Sequence, residues 1–260
     1  MSFKLGTTNN RAILIKDENY YDVEKISKGK ISSDSVQALE SMEELKKLAS
    51  SLADFTPSGK LSEIKLGNPV PSSKNSYAVG LNYKGHAEEG GMEIPEVPMV
   101  FTKHTSCFVG PKDNVELRSN FVDYEAELVV VIGKGGKDIK EENGWEHVAG
   151  MCVGQDISDR PAQFATQPPM FNLGKSFDTF GPMGPYLVSP DTLDNYEGLD
   201  IECKLNGKTM QKDNTSDLIF NVPTIISYLS GIVTLKTGDT IWTCLLYTSP
   251  SQRDSSQSRM

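Results

Sequence analysis

The most apolar run in the chain is D-Y-E-A-E-L-V-V-V-I-G, residues 123–133. It is short, β-branched and closed by glycine, which predicts a buried strand. Side chains alternate along a strand, so Glu125 and Glu127 are expected on one face. Further strands are expected at residues 12–15, 20–23, 64–66, 77–81, 99–102, 147–156, 199–205 and 240–243. Asn206-Gly207 between two such runs is a two-residue hairpin turn. Ser41 and Glu44 have capping-box spacing ahead of Leu45, Leu48, Ala49 and Leu52, predicting an amphipathic helix. Pro223 suits the first turn of a helix over 223–229, which Gly231 ends. G-P-M-G-P, 181–185, reads as a rigid turn. There is no internal repeat and no regular βαβ alternation, which argues against a Rossmann-type sheet.

The first 34 residues alternate short β-prone runs with polar turns and suggest a small antiparallel sheet. Residues 56–74 carry three prolines and two glycines and read as a link. The expected division is a small N-terminal α/β appendage with its linker over 1–70, a mostly β main domain over 71–243, and a tail over 244–260.

Composition narrows the partners. A chain of 260 residues, 37% hydrophobic and 23% charged, is an ordinary globular protein. Its net charge of −9 argues against nucleic acid and anionic membrane surfaces. An acidic small molecule stays possible, because a bound metal reverses the local field. No apolar run approaches the ~20 residues of a membrane helix. The first ten residues have neither a signal core nor an arginine-rich transit pattern, so a cytoplasmic location is expected, with a mitochondrial one left open. Cys107, Cys152, Cys203 and Cys244 contain no C-x-x-C and are expected as reduced thiols, the first three packed.

Two like charges entering a buried sheet need a positive partner. Their oxygen ligands suit a hard dication such as Mg²⁺ or Mn²⁺ better than zinc. The alternative is that both glutamates sit on a solvated strand end. Asp156, after the apolar run 148–153, can add a third carboxylate oxygen or simply end a strand. Upstream, N-Y-K-G-H-A-E-E-G-G (82–91) places His86 and Glu89 at i, i+3 if helical. A carboxylate beside an imidazole fixes its tautomer and helps it activate water. Otherwise they form a surface pair in a loop. Gly174-Lys175-Ser176 is no phosphate loop, since Pro169 stands where that pattern needs glycine. Lys175 can instead face a developing oxyanion. His104 and His147 have no ligand-spaced partner and read as structural.

Taken together, G-L-N-Y-K-G-H-A-E-E, D-Y-E-A-E-L, Q-D-I-S-D-R-P-A-Q and G-K-S-F-D-T-F-G-P-M-G-P resemble the fumarylacetoacetate hydrolase family over about residues 77–243. The resemblance implies a mixed α+β, predominantly β sandwich roll, usually dimeric. It implies Glu125, Glu127 and Asp156 as ligands of Mg²⁺ or Mn²⁺, with Ca²⁺ as a substitute. Arg160 and Gln163 become substrate-binding residues, Lys175 the catalytic lysine, and His86 with Glu89 the water-activating pair; the hairpin with Gln211 is also family-like. Substrates are 2-oxo acids, and the expected reaction is hydrolytic C–C cleavage of acylpyruvates. Oxaloacetate tautomerisation or decarboxylation, or a 2-hydroxyhepta-2,4-diene-1,7-dioate-type isomerisation, is the alternative. After Thr243 the family pattern continues with G-T-P, whereas this chain reads C-L-L-Y-T-S-P. Residues 244–260 are therefore expected to be foreign to the fold, and a non-catalytic metal-binding protein is the reading from a different class.

Overall fold

The short apolar runs become strands in the computed structural model, which describes residues 2–85 and 93–244. The N-terminal segment supplies β1 (Lys4–Thr8), β2 (Arg11–Lys16), β3 (Asn19–Asp22) and β4 (Gly59–Lys60). Next come β5 (Ser76–Gly80), β6 (Met99–Thr102), β7 (Phe108–Val109), β8 (Val122–Asp123), β9 (Ala126–Ile132) and β10 (Val148–Gln155). The last are β11 (Ser158–Asp159), β12 (Gly181–Val188), β13 (Asp200–Leu205), β14 (Lys208–Asn214) and β15 (Thr240–Trp242). One mixed sheet runs β4-β3-β2-β1-β12-β10-β9-β15-β5-β6, with β7 beside β12. β1 meets β12 antiparallel at Lys4↔Val188, so the N-terminal strands extend the same sheet. Helices are α1 (Val23–Ile26), α2 (Ser35–Glu40), α3 (Met42–Ser50), α4 (Arg160–Gln163), α5 (Phe171–Gly174) and α6 (Val222–Ile232).

β9 shows why the sheet is central. All its residues are buried, and successive side chains enter different apolar clusters. Val129 and Val131 pack with Leu14, Met183, Leu187, Trp242 and the inner faces of α2 and α3. Leu128, Val130 and Ile132 pack with Met151, Ile241 and with Ile225, Ile226 and Leu229 of α6. A strand covered on both faces reads as a continuous apolar run, which is the pattern found.

Several expected elements differ. Ser41 precedes α3, but its side chain makes no capping bond; the preceding α2 is capped by Asp34 instead. α6 continues through Gly231 to Ile232, because one glycine costs a helix only about 1 kcal/mol and buried apolar side chains of α6 outweigh that. Residues 181–185 form the start of β12, not a turn. A methyl group on Gly181 would lie 2.6 Å from Phe108 Cδ1, so this glycine serves close strand approach. Residues 64–66 join no strand and follow a 3₁₀ turn, Leu61–Glu63. Cys244 is buried alongside Cys107 and Cys152, while Cys203 is half-buried. The hairpin β13–β14 turns at Asn206 (φ 52°) and Gly207 (φ 82°), as a type I′ turn requires. Among the described residues no helix is long and apolar enough to cross a membrane.

The N-terminal strands are pinned by a buried carboxylate. Asp22 takes Arg11 Nε at 2.7 Å and caps α1 by accepting the Lys25 N–H at 3.0 Å. Burial pushes its carboxyl up, but the bonds from Arg11 and Lys25 outweigh this and hold it below the ordinary value. Asp22→Ala is expected to cost about 2 kcal/mol at pH 7. Because the folded value lies below the unfolded one near ~3.9, the full difference is present above that pH. It shrinks as pH falls through the folded value. Urea titrations at pH 7 and pH 3 check this; an equal cost at both would show that charge plays no part.

Candidate metal centre

Strand pairing builds the site. Glu125 lies just before β9 and Asp156 just after β10, and these strands pair antiparallel with Gln155 opposite Ala126. The Asp156 N–H donates to the Glu125 carbonyl at 2.8 Å, closing the ladder. Glu127, inside β9, shares the face of Glu125. The three residues are 4%, 1% and 0% exposed, which excludes a solvated strand end. One carboxylate oxygen from each lies within 4.8 Å of the others.

Cations surround this cluster from several elements. Lys175, at the C-terminus of α5, places Nζ 2.5 Å from Glu125 Oε2, 2.8 Å from Asp156 Oδ2 and 2.8 Å from Ser158 Oγ. Arg160 opens α4, whose N-cap Asp159 accepts the Ala162 N–H. Its Nη1 donates to Glu125 Oε1 at 2.8 Å and to Gln163 Oε1 at 2.7 Å, and its Nη2 to Asp123 Oδ2 at 3.0 Å. Lys103 Nζ reaches Asp156 Oδ1 at 2.7 Å. Glu127 differs: its Oε2 accepts the Cys244 N–H at 3.0 Å, and no cationic side chain among the described residues bonds to it.

Charge states follow from these contacts. Burial would push the Glu125 carboxyl up, but Lys175 and Arg160 hold it below the ordinary value. Burial, Asp156 and Glu125 together push Glu127 well above its ordinary value. Burial opposes the Lys175 charge, yet Asp156 and Glu125 overcome it and keep that amine strongly basic. Four carboxylates, at 123, 125, 127 and 156, thus meet three cations, at 103, 160 and 175. The uncompensated charge falls on Glu127. An all-oxygen donor set with one buried acid lacking a counter-charge fits a hard dication.

Of the residues singled out by sequence, Glu125, Glu127, Asp156, Arg160, Gln163 and Lys175 come together. His86 and Glu89 lie outside the described residues. His147 Nδ1 bonds the Lys134 carbonyl, in keeping with a structural role, while His104 is exposed. Gln211 Oε1 accepts the Ala126 N–H at 3.0 Å and docks the hairpin onto the base of β9. Sequence reading missed Lys103 and Ser158. Neither carries a local signal: Lys103 follows β6, a partly exposed edge strand, and meets Asp156 only across the sheet.

Residues 75–244 match the family model for the fumarylacetoacetate (FAA) hydrolase C-terminal region. A fumarylacetoacetate hydrolase domain-containing protein 2 homolog of Dictyostelium discoideum is 43% identical over 189 residues, covering 69% of this chain and 62% of the relative. A mitochondrial oxaloacetate tautomerase of Bos taurus is 41% identical over 194 residues, 74% of this chain and 62% of the relative. The chain thus spans about three fifths of these relatives' length. Oxaloacetate tautomerase YisK of Bacillus subtilis is 37% identical over 268 aligned positions, 94% of this chain and 88% of the relative. Among solved structures, a putative HpcE protein from Mycobacterium smegmatis superposes with a TM-score of 0.88 at 37% identity, covering 95% of this chain and 88% of that one. Maleylpyruvate hydrolase from Sphingobium sp. SYK-6, solved with manganese(II) and pyruvate, shares the fold: TM-score 0.80 at 24% identity, over 94% of this chain and 89% of that one. The chain belongs to the fumarylacetoacetate hydrolase family.

Proposed function

We propose that the protein is a Mg²⁺- or Mn²⁺-dependent enzyme of 2-oxo acids whose main reaction is keto–enol tautomerisation of an oxaloacetate-class dicarboxylate. The observation that carries this reading is the buried convergence of Glu125, Glu127 and Asp156 beside Lys175 and Arg160. Support for tautomerisation over cleavage comes from relatives named oxaloacetate tautomerase, one of them aligned along 94% of the chain.

In this reading Glu125, Glu127 and Asp156 hold the ion, which supplies Lewis-acid stabilisation of an enolate oxygen at C2. Lys175, whose ammonium converges on Glu125, Asp156 and Ser158, would act as a hydrogen-bond donor toward that oxygen. The Arg160 guanidinium, partly exposed and oriented by Asp123 and Glu125, presents N–H groups to a substrate carboxylate. Gln163, bonded to Arg160, fixes that group's direction. Burial of Glu125, Asp156 and Lys175 strengthens their interactions relative to water.

Hydrolytic C–C cleavage of acylpyruvates is the second reading, favoured by the His86…Glu89 spacing that suits water activation. The purified protein with Mg²⁺ is given oxaloacetate and, separately, acetylpyruvate. Enol absorbance of oxaloacetate is expected to equilibrate faster than in buffer, without pyruvate release. Rapid pyruvate formation from acetylpyruvate would make hydrolysis the main reaction. No metal-dependent acceleration of either would leave a binding protein and sink both readings.

A further inference from the structure

Lys103 follows β6 and is anchored there by its backbone N–H, which donates to the Ser76 carbonyl at 3.2 Å. Its side chain is fully buried. Nζ donates to Asp156 Oδ1 at 2.7 Å and also to the backbone carbonyl of Lys175, and it lies 5.6 Å from the centre of the Trp242 ring. Asp156 gives its other oxygen, Oδ2, to Lys175 Nζ. One ammonium therefore ties a carboxylate of the metal cluster to the main chain of the residue whose own ammonium binds that same carboxylate. With Oδ1 held, Asp156 cannot rotate about its last torsion, and with its carbonyl held, Lys175 cannot shift along its loop. Burying a third cation in so small a space is costly, and Lys175 already supplies Asp156 with a counter-charge. Neutralisation accounts for its charge but not for its bond to the Lys175 carbonyl.

We propose that Lys103 is a positioning residue that holds the Asp156 carboxylate in the orientation that accepts the divalent ion, a role that rests on the metal reading above. The competing view, a lysine acting only through its charge, has the opposite sign. Removing a positive charge beside a dication site would tighten metal binding. Removing a positioning group loosens it, by about 10–100-fold for groups that orient metal ligands.

Mn²⁺ titration calorimetry of the full chain and of Lys103→Met separates these views. The variant is expected to bind Mn²⁺ about 10–100-fold more weakly; unchanged or tighter binding overturns the proposal. If the parent itself binds no Mn²⁺, the metal reading falls and this role falls with it. A second measurement covers a variant that does not fold. In an Asp156→Asn background the carboxylate that Lys103 pairs is already gone, so adding Lys103→Met is expected to move the urea midpoint far less than it does in the parent. Equal shifts, or equal failure to fold, in both backgrounds would show that Lys103 does not act through Asp156.

Discussion

Glu127→Gln is expected to weaken Mn²⁺ or Mg²⁺ binding by more than about 100-fold while leaving the protein folded. Losing a group that merely orients a ligand already costs ~10–100-fold, and here a ligand charge itself is lost. The fold survives because Glu127 is a burden on the metal-free protein. It is a buried acid pressed by Asp156 and Glu125 with no cation bonded to it, which pushes its carboxyl well above the ordinary value. The amide oxygen of the substituted side chain can still accept the Cys244 N–H that Glu127 now takes. Without metal the variant is therefore expected to melt no lower than the parent, since the like-charge repulsion is gone. Calorimetry and a melting curve with and without Mn²⁺ read both halves. Unchanged Mn²⁺ affinity would remove Glu127 from the metal site, and a steep fall in melting temperature would show that its role is structural.

The acidic half of this site was legible in the chain, and so were Arg160 and Lys175 of the basic half, but Lys103 was not. Glu125 and Glu127 stand two apart in a run whose period is fixed by strand geometry, so their shared face follows from local rules. Asp156 follows from the same logic, because its strand pairs with theirs. Lys103 lies more than 50 positions from Asp156 and meets it only through the order of strands in the sheet, which no local pattern reports. The start of β12 was hidden for a different reason. Its glycines and prolines signal a turn, but at Gly181 the missing side chain makes room for Phe108. The end of the described chain carries a further mismatch. Cys244 stands at φ 112°, a region that favours glycine, at the position where the family resemblance expects glycine.

Lys175→Met is expected to destabilise the metal-free protein by about 3–5 kcal/mol, the range for breaking a buried ion pair by removing one partner. Its ammonium, 4% exposed, binds Glu125 Oε2 and Asp156 Oδ2 at once. Without it Glu125 keeps Arg160 and Asp156 keeps Lys103, but two buried oxygens lose their donor and the carboxylates repel. Mn²⁺ should recover part of this loss. The same two carboxylates are metal ligands in the proposed site, so the ammonium competes for them, and its removal favours the dication. A ligand at 100 times its dissociation constant stabilises the folded state by about 2.7 kcal/mol. The Mn²⁺-induced rise in melting temperature is accordingly expected to be larger in Lys175→Met than in the parent. Turnover is not expected to recover with it: losing one donor to a developing oxyanion costs ~10²–10³-fold in rate, and metal occupancy does not replace that donor. Thermal melts with and without Mn²⁺, paired with the oxaloacetate assay, test the two parts separately. A smaller Mn²⁺ shift in the variant would mean that Lys175 helps hold the ion instead of competing with it, and wild-type rates would remove it from the chemistry.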